Sequence, residues 1–157
     1  MASQTNKTRT TIAALMLSAG GLVGIALHEG YSDRAIIPVP GDVPTIGFGE
    51  TQGVKLGDKT TAPKALVRLM DDVAKREGII KRCVRVPLSQ GEYDAYMSLA
   101  YNIGTGAFCS SSLVRKLNAQ DYDGACKAIL DWDKFKGRAL PGLTARRKEE
   151  YRKCQGT

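Results

Sequence analysis

Three residues in the first third of this 157-residue chain have types and spacing that chemistry uses: Glu29, Asp42 and Thr45. Glu29 closes a run without Lys, Arg, Asp or Glu that extends from Thr10 to Leu27. A carboxyl at the end of an apolar helix is partly desolvated, which raises its pKa and suits it to donate a proton near neutral pH. Asp42 and Thr45 lie beyond a Pro-rich segment, in Gly41-Asp42-Val43-Pro44-Thr45-Ile46-Gly47-Phe48-Gly49. A carboxylate and a hydroxyl placed there can hold and activate water on the opposite face of a substrate. Two carboxyl groups flanking one bond are the machinery of glycoside hydrolysis. Each residue taken alone has a plainer reading: a solvated charge for Glu29, ordinary turn chemistry for Asp42, and a β-branched strand residue for Thr45.

The element before Glu29 must position it, and its sequence is unusual. Lys7 and Arg9 precede the apolar run, which is the pattern of an export signal or membrane anchor with the N-terminus inside. As a helix the run spans roughly 27 Å, slightly less than a ~30 Å hydrocarbon core. It is only weakly apolar, because Ala13, Ala14, Ser18, Ala19, Gly20, Gly21, Gly24 and Ala26 are small. Gly20 and Gly24 also form a GxxxG spacing. Three readings compete: a cleaved signal peptide, an ordinary core helix, and an anchor that leaves the membrane and folds onto the domain. The third accounts for the basic start, the weak apolarity and the lack of a break before Glu29. The expected division is residues 1–28 as the anchor segment and 29–157 as the catalytic domain.

Downstream, β-branched and aromatic residues predict strands over 31–39 and 43–48, with Pro38, Pro40 and Gly41 at the turn. Gln52 to Lys59 reads as loop. A helix is expected from near Thr61 to near Gly78. Ser89-Gln90-Gly91-Glu92 is a capping box that starts a helix running to about Tyr101. Further helices are expected over 111–117, 122–135 and 143–154. The fold class is mostly helical α+β, a small N-terminal sheet followed by a larger helical lobe.

The formal net charge of +7 favours an anionic partner such as a polyanionic cell-wall polymer or an acidic membrane surface, or reflects surface solubility alone. Nucleic acid is not the expected partner, since base-stacking aromatics, a zinc pattern and a phosphate loop are missing. No cofactor and no metal are expected, because the four cysteines contain no CxxC pair and His28 is the only histidine. Four cysteines allow three pairings; Cys83 with Cys109 and Cys126 with Cys154 is preferred, the second joining neighbouring helices near the C-terminus. Such bonds point to an oxidising compartment, whereas buried free thiols would fit a cytosolic protein.

Glu29-Gly30, Pro44-Thr45-Ile46-Gly47-Phe48-Gly49, Tyr101-Asn102-Ile103-Gly104, Ser112-Leu113-Val114-Arg115 and Gly142-Leu143-Thr144-Ala145-Arg146-Arg147 occur in this order. Together they resemble the phage-type lysozymes of glycoside hydrolase family 24, and the N-terminal run is similar to that of signal-arrest-release endolysins. The resemblance implies a lysozyme-like fold. It also implies hydrolysis of the β-1,4 bond between N-acetylmuramic acid and N-acetylglucosamine in peptidoglycan, which lyses the bacterial host. The family's catalytic set is a Glu, an Asp or Cys, and a Thr. Glu29 matches the first and Thr45 the last. Where the family carries the middle carboxylate this chain has Pro38 or, counted back from Thr45, Val39. Asp42 is therefore the candidate base, with Asp33 a weaker substitute. Glu50 stands where the family often has His. Tyr101 and Asn102 are expected to bind sugar, Asn102 alternatively capping its helix. Arg146 and Arg147 are expected to meet muropeptide carboxylates or to pair with buried acids. Trp132 is assigned to the core. The resemblance also implies an inner-membrane stage followed by release to the periplasm, as a monomer. The rival readings are a lytic transglycosylase that needs only Glu29 and a non-enzymatic basic binding module.

Overall fold

The computed structural model describes residues 7–157. The chain forms two compact units: Leu22–Lys75, and Arg76–Thr157 together with the chain up to Gly21. Among the described residues there are seven α-helices and two two-stranded antiparallel sheets, which is the mostly helical α+β class expected.

The smaller unit contains most of α1 (Ala19–Glu29), then β1 (Ser32–Ile36), β2 (Thr45–Gly47) and the first part of α2 (Ala62–Cys83). Gly30 ends α1: its φ of +72° suits glycine, and its N–H donates to Ala26 at 3.1 Å. β1 pairs with β2 through Ser32–Gly47 and Ile36–Thr45, with an irregularity between the two pairs. Chain 58–60 extends this small sheet, as the Ala35 N–H donates to Asp58 and the Thr60 N–H to Asp33. Both strands are shorter than expected. Pro38, Pro40 and Pro44 cannot donate to a ladder, so 37–44 forms a non-strand turn. Ile25, Ile46, Ala65, Leu69 and Val73 are buried and form this unit's core.

The larger unit is built around α3 (Gln90–Ile103), buried continuously from Glu92 to Ala100. Its capping box is complete: Glu92 N–H donates to the Ser89 hydroxyl, and Ser89 N–H to the Glu92 carboxylate. α4 (Thr105–Ser110), α5 (Ser112–Asn118), α6 (Tyr122–Ala128) and α7 (Pro141–Gln155) surround it. α7 packs directly on α3, so closely that a Cβ on Gly91 would stand 2.7 Å from the Lys153 carbonyl oxygen. The expected cysteine pairs are bonded: Cys83 with Cys109, and Cys126 on α6 with Cys154 on α7.

Four expectations need correction. α2 runs on to Cys83 rather than ending near Gly78. The helix read over 122–135 stops at Ala128. A 3-10 turn (Ile129–Trp132) follows, then a hairpin of β3 (Lys134–Phe135) and β4 (Arg138–Ala139). Its turn residues Lys136 and Gly137 both have positive φ, as a two-residue primed turn requires. Trp132 is half-buried at the end of the 3-10 turn rather than in the core.

The fourth correction concerns the apolar run, which is broken. Ile12–Ala14 is a single 3-10 turn and α1 begins only at Ala19. The Ser18 hydroxyl accepts the Gly21 N–H at 3.0 Å and so caps α1. Side chains of the larger unit bind the backbone between: Lys81 donates to the Leu15 carbonyl, Gln90 to the Met16 carbonyl, and Glu77 accepts the Leu17 N–H. These bonds replace the intrahelical ones a continuous helix would need. Among the described residues no helix is long and apolar enough to cross a membrane.

Candidate active site

Glu29 is the last residue of α1 and lies one helical turn beyond Ile25, which is fully buried. That register leaves Glu29 half-buried, while Val23 and Leu27 on the opposite face are exposed. Its carboxylate meets the tight turn that follows β2. In this turn Ile46 and Glu50 exchange both backbone hydrogen bonds, at 2.9 and 3.0 Å. Gly47 and Gly49 take φ of +63° and +88°, which explains the two glycines of the Thr45-to-Gly49 motif. A Cβ on Gly47 would stand 2.8 Å from that of Ala65, and a Cβ on Gly49 only 3.0 Å from Glu29 Oε2. Of the two glycines, Gly47 thus lies against Ala65 and Gly49 against the Glu29 carboxylate.

Thr45 pairs with Ile36 at the start of β2, half-buried, and its hydroxyl donates to the Val43 carbonyl at 3.2 Å. Asp42 is exposed in the turn between the strands. Its N–H donates to Val39, and its Oδ1 accepts the Val43 N–H at 2.8 Å. These bonds lie within its own turn, as the plain reading of Gly-Asp after Pro expects. Asp33 is exposed on β1. Glu50 forms an ion pair with Arg68 at 2.8 Å, an arrangement the sequence did not reveal. A polar depression of about 310 Å³ lies beside that pair, lined by Glu50, Asp58, Lys59 and Arg68 among others; Glu29, Asp42 and Thr45 are not in its wall.

In the larger unit, Tyr101 is half-buried with the Arg76 guanidinium 4.4 Å from its ring centre. Asn102 is exposed, and its Oδ1 accepts from Arg147 at 3.0 Å rather than capping the helix. Arg146 and Arg147 are buried and share Glu150: Arg146 Nε lies 3.1 Å from Oε1 and Arg147 Nε 2.7 Å from Oε2. Arg146 also donates to the Ser98 carbonyl. Burial pulls the pKa of Arg147 down, and the Glu150 charge opposes that shift. Of the two expectations for these arginines, pairing with a buried acid is the one observed.

The model of the phage lysozyme family matches residues 26–150. An endolysin from Acyrthosiphon pisum secondary endosymbiont phage 1 is 38% identical over 138 residues, covering 85% of this chain and 94% of that protein. A protein named SAR-endolysin from Pseudomonas phage phiKMV is 33% identical over 140 residues, covering 87% of this chain and 86% of that protein. Among solved structures, P22 lysozyme is 35% identical with a TM-score of 0.79, over 88% of this chain and 97% of that one.

Proposed function

This chain belongs to the phage lysozyme family, and we propose that Glu29, Asp42 and Thr45 carry its reaction. It is an endolysin with muramidase activity, a glycoside hydrolase acting on peptidoglycan. The observation that carries the assignment of Glu29 is its half-buried carboxylate pressed on Gly49, in the motif that also contains Thr45. Glu29 protonates the glycosidic oxygen as the bond to the anomeric carbon breaks. Asp42 takes a proton from a water that Thr45 helps to hold, and the water adds from the opposite face. The product is inverted, as expected where the carboxyl groups stand about 6.5–9.5 Å apart. Tyr101 and the exposed Asn102 bind sugar, and Arg146, which donates to the Ser98 carbonyl, supports α3.

The proposal includes an inner-membrane stage with residues 1–28 as the anchor. The basic residues Lys7 and Arg9 before the uncharged run support it, as do the exposed Val23 and Leu27 and the 33% identity to a protein named SAR-endolysin. The run contains no cysteine, so release proceeds by refolding rather than by thiol exchange. The released monomer acts in the periplasm, where its two disulfides form.

The test is Glu29→Gln. The variant keeps its far-UV spectrum and loses peptidoglycan clearing by about 10²-fold or more. Substantial residual clearing refutes the acid role. Asp42→Asn loses a comparable factor if Asp42 is the base, and unchanged activity removes it from the mechanism. Mass spectrometry of the digest finds reducing ends; 1,6-anhydro ends would assign a transglycosylase instead.

A further inference from the structure

Three buried carboxylates in the larger unit face the N-terminal segment. Glu92 is fully buried; Glu77 and Asp94 are 7% and 6% exposed. Arg9 grips Glu92 with a fork, Nε at 3.0 and 3.2 Å and Nη2 at 2.7 Å, while lying 3.6 Å above the Tyr122 ring centre. Lys7 adds a second cation 3.7 Å from the same carboxylate. Glu77 accepts the Leu17 N–H at 2.7 Å and the Tyr93 hydroxyl at 2.8 Å. Asp94 accepts both the N–H and the hydroxyl of Ser18, together with Gln90. Between these points Thr10 and Leu88 exchange two backbone hydrogen bonds, and Ile12 and Leu15 are buried.

We propose that Glu77, Glu92 and Asp94 form a receptor for residues 7–18, which captures this basic, extended segment once it leaves the bilayer and makes release directional. The inference rests on the membrane stage proposed above, and the receptor geometry is independent of it. Buried carboxylates require partners, and charged ones most of all. The segment supplies cations at one end and N–H and hydroxyl donors at the other. Lys7 and Arg9 then have two successive uses. They hold the N-terminus inside while the segment spans the membrane. They reach Glu92 only after crossing, because the receptor lies on the domain's side. The latch therefore cannot close while the anchor is in place. Gly21 belongs to the same device: a Cβ there would stand 3.1 Å from the Asp94 carboxylate.

The test uses the full-length chain in anionic lipid vesicles carrying a membrane potential that is then collapsed. Released and vesicle-bound protein are separated by sedimentation, and trypsin cleavage after Arg9 is followed in the released fraction. Glu92→Gln can still cap α3 through its amide oxygen. It is expected to lower the released-to-bound ratio at least tenfold and to raise cleavage after Arg9 at least tenfold. Arg9→Lys keeps the anchor charge and loses the fork, so it shows the same defect in part. The double variant R9K/E92Q is no worse than E92Q, as expected when both act on one contact. A wild-type released fraction with E92Q, or losses that multiply in the double variant, overturns the receptor. If the wild-type chain never sediments with vesicles, the membrane stage fails instead. Cleavage of the soluble protein then decides the receptor alone: about tenfold faster in E92Q upholds it, and equal rates overturn it.

Discussion

Gly49→Ala is the substitution that tests whether the glycine turn sets the position of Glu29. Two costs separate cleanly. The first is backbone strain: φ at Gly49 is +88°, and an L-residue in left-handed space costs about 1–2 kcal/mol. The second is collision, since the new Cβ stands 3.0 Å from Glu29 Oε2, where ordinary contact begins at 3.4 Å. Relaxation moves the carboxylate by about 0.4 Å. If 1 Å of misplacement costs about 10²-fold in rate, this shift costs about sixfold, and a change of rotamer costs more. Gly53→Ala is the matched control. Its φ is +74° with nothing within 4 Å of the added Cβ, so it carries the strain without the collision. The assays are thermal unfolding and initial rates of peptidoglycan clearing at saturating substrate. Both variants lose roughly 2–8 °C in Tm, given about 2–4 °C per kcal/mol for a chain of this size. Only G49A loses kcat. Equal kcat in the two variants would refute the claim that this turn positions Glu29, the proposed acid.

Gly91→Ala places its Cβ 2.7 Å from the Lys153 carbonyl, a backbone atom that cannot step aside. A loss of about 1–3 kcal/mol is expected, read as a lower midpoint in denaturant with an unchanged slope. A neutral G91A would show that α3 and α7 are not so closely packed. Removing the second disulfide with C126A/C154A opens a loop of sequence separation 28, worth about 3.5 kcal/mol on the loop-entropy estimate. Tm should fall by about 7–14 °C, and wild-type protein in reductant, which opens both disulfides, falls further; an unchanged Tm in C126A/C154A would contradict a stabilising role.

Much of the scaffold was legible because it is specified locally. The capping box at Ser89 and Glu92 uses reciprocal bonds between residues three apart, and both bonds form. The turn of Pro38, Pro40 and Gly41 was equally legible, since proline removes donors whatever surrounds it. The elements misread depend on backbone signs that side chains announce weakly. α4 starts directly after Gly104, whose φ of +89° redirects the chain without ending the helical region. The β3–β4 hairpin has Lys-Gly where Asn-Gly would have been a clear signal. In the candidate site, the contact of Glu29 with Gly49 was not legible in the sequence, because it depends on the positive φ of that glycine, and Asp42 shows only bonds of its own turn.

The break in the apolar run has a different origin. Nothing between Thr10 and Leu27 forbids a single helix, and Ser18 alone is a weak stop. The conformation is decided by Glu77, Lys81, Gln90 and Asp94, more than fifty residues away, which bind the backbone and Ser18. In sequence, those four residues read as ordinary polar positions on two amphipathic helices. Their role appears only when the partner segment lies against them. A segment without its own strong preference, facing a receptor with fixed geometry, is well suited to exist in two states. In lipid, its backbone must satisfy itself and a helix is the only economical form for a single span. On the receptor, external donors and acceptors take over at Thr10 and from Leu15 to Ser18. The three glycines of α1 do not set the balance between the two states, because Ala19–Glu29 is helical in both. The balance lies in residues 15–18, which stand outside any helix on the receptor. Replacing Ser18 by alanine removes the cap on Gly21 and the hydroxyl bond to Asp94 while strengthening a continuous helix, and should hold the chain in the vesicle-bound fraction. Unimpaired release of that variant would show that this break does not govern the transition.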